Sequence, residues 1–222
     1  NQIVSAVALN LMAVGLTSYL NTMFFGLASD PVRVPKLQPF AIPLLSNIPV
    51  VGPIFFRQLP IVYIAYLLVP LIWFILFKTT WGLKIRSVGE HPHAADTVGI
   101  SVYKVRFATL VVAGVLSGMA GAFLSIGQIG QFMEGMTGGR GYIAYTAIVF
   151  GKWSPVGTML GSLLFGVADA FQLRLQALGI KAIPYQALVA LPYIATLVIV
   201  IFFVGKAAWP AASGLAFSRE EK

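Results

Sequence analysis

Long apolar segments alternate with short polar connectors along most of this chain. Four of these segments are long enough to cross about 30 Å of hydrocarbon, which takes about 20 residues of helix. We predict transmembrane helices at residues 3–26, 59–77, 105–127 and 184–204. The pattern therefore predicts an all-α protein, a polytopic bundle of transmembrane helices.

The apolar region 141–175 is too long for one span, and it contains a break. The break reads Gly151-Lys152-Trp153-Ser154-Pro155, where the proline restricts the residue before it and the glycine frees the backbone. We predict a short helix near 141–151, which is a half-span or a re-entrant segment, and a longer helix near 156–175. The bundle is thus expected to include a broken helix.

A short polar segment, residues 89–100, lies between two of the apolar spans. Pro92 suits the first turn of a helix, and Gly99 suits the left-handed position that follows a helix. The resulting helix has only about two turns and is too short to be stable alone in water. We predict that another protein holds it.

The composition agrees with a membrane protein. The chain is 58% hydrophobic and 10% charged, with a mean hydropathy of +0.86, whereas about a quarter of the residues in an ordinary soluble domain are charged. The net charge of +8 comes from basic residues beside the spans, so membrane topology explains it better than nucleic-acid binding does. The absence of cysteine excludes a disulfide framework and a thiolate metal site.

Lysine and arginine near the span ends indicate the orientation, because positive loops stay in the cytoplasm. The connector 78–106 and the tail are basic, so we place both inside; their basic residues are Lys78, Lys84, Arg86, Lys104, Arg106, Lys206, Arg219 and Lys222. Alternation then puts 27–58, 128–140 and 176–183 outside. The seven prolines and glycines between Pro31 and Pro53 exclude a long regular helix from the first of these loops. The chain starts in an apolar segment without a basic leader, so we expect further N-terminal helices to precede it.

Small residues one turn apart indicate close helix packing in lipid. Such stripes are Gly114-x-x-x-Gly118 with Ser117-x-x-x-Gly121, and Gly157-x-x-x-Gly161 with Ser162-x-x-x-Gly166. For both, packing within the chain is favoured over a subunit interface.

A polar face inside the membrane is the other candidate site. Asp169 lies within the predicted 156–175 helix, where an unpaired charge costs about 2.5–3.5 kcal/mol or more. Gln172 and Gln176 fall on the same face, and Asn10 in the first span could join them. Two interpretations remain open: a polar latch between helices, or contacts along a substrate pathway. Gln128 and Gln131 could face the same cavity.

Catalytic motifs are absent from the sequence. No P-loop, nucleophile elbow or zinc-protease motif occurs, and nothing completes a metal site around the two histidines, His91 and His93. The glycine-rich segment 137–142 is interpreted as a turn rather than a phosphate site.

The run from Trp81 to Ile100 (WGLKIRSVGEHPHAADTVGI) resembles the cytoplasmic coupling loop of ABC importer permeases of the ribose and branched-chain amino acid superfamily. Segments with the same resemblance are Gly118–Ala122 (GMAGA), Gly139–Ala144 (GRGYIA) and Phe150–Gly157 (FGKWSPVG). Asp169–Gln176 (DAFQLRLQ) and Ala190–Tyr193 (ALPY) look most like nucleoside importers that work with a basic membrane lipoprotein.

The resemblance implies one transmembrane permease domain over 1–222, with a coupling loop at 78–104, in the bacterial cytoplasmic membrane. It implies a second homologous permease subunit, two ATPase subunits that bind ATP and Mg, and an external lipoprotein that delivers nucleoside; no cofactor is expected on this chain. The residues it implies for ATPase coupling are Glu90, His91, Pro92, His93, Ala94, Ala95, Asp96, Thr97 and Gly99, although His91 and His93 depart from the residues frequent in relatives.

Three alternatives remain open. The cargo of an ABC permease could be a simple sugar or a branched-chain amino acid. The chain could instead be an ion-coupled secondary transporter with Asp169 as its ion site. It could also be a membrane scaffold that transports nothing.

Overall fold

The computed structural model describes residues 2–26, 33–43, 45–49, 51–178 and 210–219. The predicted span 184–204 lies outside these residues. Eight α-helices occur in the described part: α1 (Gln2–Phe25), α2 (Val51–Phe55), α3 (Pro60–Lys78), α4 (Thr80–Glu90), α5 (Pro92–Thr97), α6 (Val102–Ala122), α7 (Arg140–Phe150) and α8 (Pro155–Ala177). Helix α6 continues as a π-helical segment, Phe123–Ile129.

Four helical segments are long and apolar enough to cross a membrane. They are Val4–Phe25, Pro60–Lys78, Val102–Ile129 and Pro155–Ala177. They match the predicted helices at 3–26, 59–77, 105–127 and 156–175, so the prediction of an all-α polytopic bundle is confirmed. Their side chains are largely exposed within the chain, as expected where lipid or a neighbouring subunit covers apolar surface.

The chain divides into two compact units. The first is drawn from residues 1–68, 75–138 and 211–222, and the second from residues 69–74 and 139–210. Buried side chains of the first unit cluster where α4, α5 and α6 meet the C-terminal residues: Val88, Ala95, Val102, Val105 and Phe217, with Ile85 and Ile100 packed against them.

The described part of the 27–58 connector has no long helix, as predicted. It contains a 3-10 turn at Leu45–Asn47, the short helix α2, and two strands, β1 (Phe40–Ala41) and β2 (Arg57–Gln58), paired antiparallel. The hydroxyl of Tyr63 donates to the carbonyl of Phe40 over 2.8 Å, which ties β1 to the start of α3. These two-residue strands are too short for an alternating pattern to reveal them.

In the second unit, α7 and α8 meet at a tight turn, which confirms the predicted helix break. Lys152 and Trp153 take left-handed φ values of +51° and +58°. The hydroxyl of Ser154 then accepts from the amide of Gly157 over 3.1 Å and caps α8, with Pro155 as its first residue. The break therefore combines a strained turn with a regular helix start.

The Gly157 stripe packs against α7. A β-carbon added at Gly157 would lie 2.3 Å from the carbonyl oxygen of Gly151, and one at Gly161 would lie 3.1 Å from that of Ala147. The prediction of packing within the chain is confirmed for this pair of glycines. Glycines of the other stripes, Gly114, Gly118, Gly121 and Gly166, have nothing within 4 Å of such a β-carbon, so for them the prediction stays open.

We predict a graded loss of stability when these glycines are changed to alanine. Gly157→Ala forces the α7–α8 backbones apart and should destabilise the protein by about 1–3 kcal/mol. Gly161→Ala should cost less, because its contact is longer. Gly166→Ala is the matched control on the same helix and should leave the stability unchanged or raise it by up to about 1 kcal/mol, because the site has room for the methyl group and alanine favours a helix. Thermal unfolding in detergent measures the series, and equal values for Gly157→Ala and Gly166→Ala would contradict it.

Candidate functional site

The predicted coupling segment forms a helix–break–helix. Helix α4 starts at a capped end, where the hydroxyl of Thr79 accepts from the amide of Gly82 over 3.2 Å. It ends at Glu90, and His91 breaks the run with φ −137° and ψ 81°. The sequence pattern had predicted only a connector over these residues, so α4 was not expected. Thr79 as a cap and the spacing of Ile85 and Val88 on one face are the signals that would have found it.

The boundaries of α5 agree with the prediction. Pro92 is its first residue, and Gly99 follows its end with φ +85°. The amide of Ile100 donates to the carbonyl of Ala95 over 3.0 Å, and the amide of Gly99 donates to the backbone carbonyl of Asp96 over 3.0 Å. A left-handed glycine at this position is the usual way to end a helix. The predicted segment 90–99 is therefore a six-residue helix with its own start and stop.

Helix α5 has one buried position and a wide exposed surface. Ala95 is 3% exposed and belongs to the core of the first unit. Val98 at the end of the helix is 75% exposed. Of the other residues predicted to couple to an ATPase, Pro92 and Asp96 are half-buried, and the exposed ones are Glu90, His91, His93, Ala94, Thr97 and Gly99. Helix α5 is therefore attached to the core through Ala95, and the rest of its surface is accessible to another protein.

Asp96 pairs with Arg219, a contact that the sequence pattern does not predict. Its two carboxylate oxygens accept from Nη2 and Nε of Arg219 over 2.8 and 3.0 Å, a bidentate pair. The hydrogen bond to Asp96, and then the charge of Asp96, raise the pKa of Arg219 above its usual range. The pair places the tail on the same side of the membrane as α5, as the positive-inside argument predicted.

The second predicted site is the polar face of α8. Asp169 is exposed, and Gln172 and Gln176 are half-buried; their spacing puts the three on one face of the helix. Within the part of the chain described, no hydrogen bond or ion pair involves Asp169, and Arg174 is not its partner. Asn10 is exposed on α1, in the first unit. The latch and the pathway interpretations both remain predictions.

Gln128 and Gln131, predicted to face the same cavity as Asp169, lie in the first unit. Gln131 pairs with Arg33 in an isolated antiparallel bridge, next to a hydrogen bond of 2.7 Å from the amide of Val34 to the carbonyl of Gly130. Gln128 lies in the π-helical end of α6. Among the described residues, no group of three or more His, Cys, Asp or Glu side chains is arranged to hold a metal ion.

Comparison with known protein families identifies the family of this chain. Residues 1–205 match the family described as the permease component of the branched-chain amino acid transport system. The chain belongs to this permease family. It is therefore a multi-pass membrane protein and a permease component, and the resemblance read from the 81–100 segment is confirmed.

Several ABC transporter permeases are similar to most or all of the chain. It is 41% identical over 223 residues to the nucleoside ABC transporter permease NupC of Lactococcus lactis and 38% identical over 229 residues to the guanosine ABC transporter permease NupQ of Bacillus subtilis; each alignment covers 100% of this chain and 70% of the relative. It is 39% identical to the putative glucose ABC transporter permease TsgC13 of Haloferax volcanii, over 83% of this chain and 56% of the relative. No solved structure matches the chain.

Two substitutions on the polar face of α8 distinguish the pathway interpretation from the latch. If the face lines the pathway, Asp169→Asn and Gln172→Ala should slow uptake by the assembled permease without reducing its amount in the membrane, because each would remove a polar contact with the cargo. Val167→Ala, at a position 69% exposed on the same helix, is the control and should transport normally. Wild-type uptake by both polar variants at normal expression would favour the latch.

Proposed function

We propose that this permease moves nucleosides inward across the bacterial cytoplasmic membrane as one subunit of an ATP-driven ABC importer. The named nucleoside and guanosine permeases, which align with the whole chain, support the cargo. The glucose permease relative keeps a simple sugar as the second candidate. Because the cargo carries both an apolar base and ribose hydroxyls, a few weak polar contacts in the pathway are sufficient to guide it.

The short length of α5 and its exposed surface are the observations that support the proposal most directly. A six-residue helix has too few internal hydrogen bonds to persist alone, yet Ala95 anchors it to α6 while Ala94, Thr97 and Val98 stay exposed. An exposed apolar residue beside small ones suits insertion into a groove of another protein. We assign that groove to an ATPase subunit on the cytoplasmic side.

The remaining partners follow from this assignment. A second homologous permease subunit would complete the membrane pathway, and each permease would present one coupling helix to one of two ATPase subunits. An external substrate-binding lipoprotein would deliver the nucleoside. ATP and Mg would bind the ATPase subunits, so we assign no cofactor to this chain.

The proposed mechanism treats α5 as a lever. ATP binding changes the ATPase surface, and α5 can transmit this change only if the two ATPase states bind it with different free energies. Motion of α5 passes directly to α6, whose Val102 and Val105 share its buried core, and through α4 to α3. These two long helices would then open or close the pathway.

Uptake by the reconstituted complex tests the proposed function. We expect radiolabelled nucleoside to enter vesicles only with ATP enclosed on the ATPase side, the binding protein outside the vesicle and both permeases present. Unlabelled nucleosides should compete, whereas glucose and leucine should not. If glucose alone competes, the cargo is a sugar and not a nucleoside. If uptake proceeds without the ATPase, the protein is not part of an ATP-driven importer.

A matched pair of substitutions at Gly99 tests the lever. Gly99→Val places a β-branched residue at φ +85°, which costs about 1–3 kcal/mol and should shift the end of α5. Gly99→Asn tolerates the left-handed conformation and serves as the control. We expect Gly99→Val to lower nucleoside uptake per ATP hydrolysed while the binding protein still binds cargo. Equal uptake per ATP in the two variants would contradict the lever.

A further inference from the structure

Residues 211–219, here called the tail strap, contact each element of the coupling segment. The amide of Ala212 donates to the carbonyl of Gly89 in α4 over 2.9 Å. Nη1 of Arg106 in α6 donates to the carbonyl of Leu215 over 3.0 Å. These two bonds attach the backbone of the tail strap to the helices on either side of α5.

Phe217 fills the space beneath α5. It is 9% exposed and belongs to the same buried cluster as Ala95 and Val102. Its ring lies 5.0 Å from that of His93 and 5.4 Å from that of Tyr103, between centroids. The hydroxyl of Tyr103 also donates to the Phe217 carbonyl over 3.1 Å. One tail residue therefore packs against both α5 and α6.

The bidentate pair between Arg219 and Asp96 completes the strap. Asp96 is next to the buried Ala95, and its side chain is 22% exposed. A planar guanidinium that binds both carboxylate oxygens restricts the direction of the Asp96 side chain. The side chain of Arg219 is 65% exposed, so water screens the ion pair and it adds little to stability. Its contribution is to fix the orientation of the Asp96 side chain.

We propose that the tail strap orients the coupling helix for the ATPase, with Phe217 and Arg219 as positioning residues. The inference rests on the proposed function of α5 and adds that its orientation depends on the C-terminal end of the same chain. Without the strap, α5 keeps its hydrogen bonds but loses the ring beneath it and the fixed direction of Asp96. A coupling helix that is held less firmly would change its orientation when the ATPase moves, without transmitting that motion to α6.

The first experiment measures the strap itself, independently of transport. The chain contains no cysteine, so single cysteines report on single positions. In the purified full-length chain, Ala212→Cys should react with a maleimide several-fold more slowly than Ser213→Cys, because Ala212 is 9% exposed and Ser213 is exposed. Adding Phe217→Ala or Arg219→Glu should remove this protection. Equal reactivity of the two cysteines would overturn the strap whatever the transport result.

The second experiment measures coupling in the reconstituted complex. We expect Phe217→Ala and Arg219→Glu to lower nucleoside imported per ATP hydrolysed by about fivefold or more, the scale of a lost coupling between sites. Phe217→Leu should recover most of it, since it keeps the apolar volume, whereas Arg219→Lys keeps the charge without the bidentate geometry and should recover only part of it. Leu215→Ala, from a position 60% exposed on the same segment, is the control.

The pattern of outcomes separates the two proposals. If the strap variants assemble with the ATPase and import per ATP as the wild type does, the positioning role is wrong and the importer assignment stands. If the wild-type complex itself imports nothing with ATP, the proposed function is wrong, and the cysteine reactivities still decide whether the strap exists.

Discussion

The buried contact between α5 and α6 is the constraint on which the order of α5, the candidate docking helix, depends. A helix of six residues gains few hydrogen bonds for the entropy it loses on folding. Here Ala95 and Val102, 3% and 0% exposed, supply the packing that the helix cannot supply for itself. The small side chain of Ala95 allows the two helices to lie close together, and Gly99 turns the chain directly into α6. Helix α5 is consequently attached to the core of its unit through Ala95 rather than being a projecting loop.

The turn between α7 and α8 shows a comparable constraint in the second unit. The backbones of Gly151 and Gly157 come so close that neither position has room for a side chain, and Lys152 and Trp153 accept left-handed backbone conformations between them. Such strain, about 1–3 kcal/mol for each residue, persists only where the surrounding contacts fix the turn. Both units therefore join a spanning helix to a short neighbour through a break of fixed geometry.

Much of the fold could be predicted from the sequence because the bilayer imposes a length on apolar segments. The spans, the helix break at Pro155 and the limits of α5 at Pro92 and Gly99 follow from apolar runs and from residues with strong backbone preferences. Local patterns do not reveal contacts between distant segments. The pairing of Arg219 with Asp96 joins residues 123 positions apart, and both are ordinary surface residues in the sequence. No local pattern identifies a partner for Asp169 either, and within the described residues it forms no hydrogen bond or ion pair.

Thiol accessibility on the outer face of α5 tests the central claim most directly. Ala94 is exposed and lies outside the buried cluster, and Ala94→Cys would be the only thiol in the chain. We expect this cysteine to react rapidly in the purified permease and to become protected when the ATPase subunits bind. Equally rapid reaction in the assembled, transporting complex would show that α5 is not the site of docking and would contradict the account.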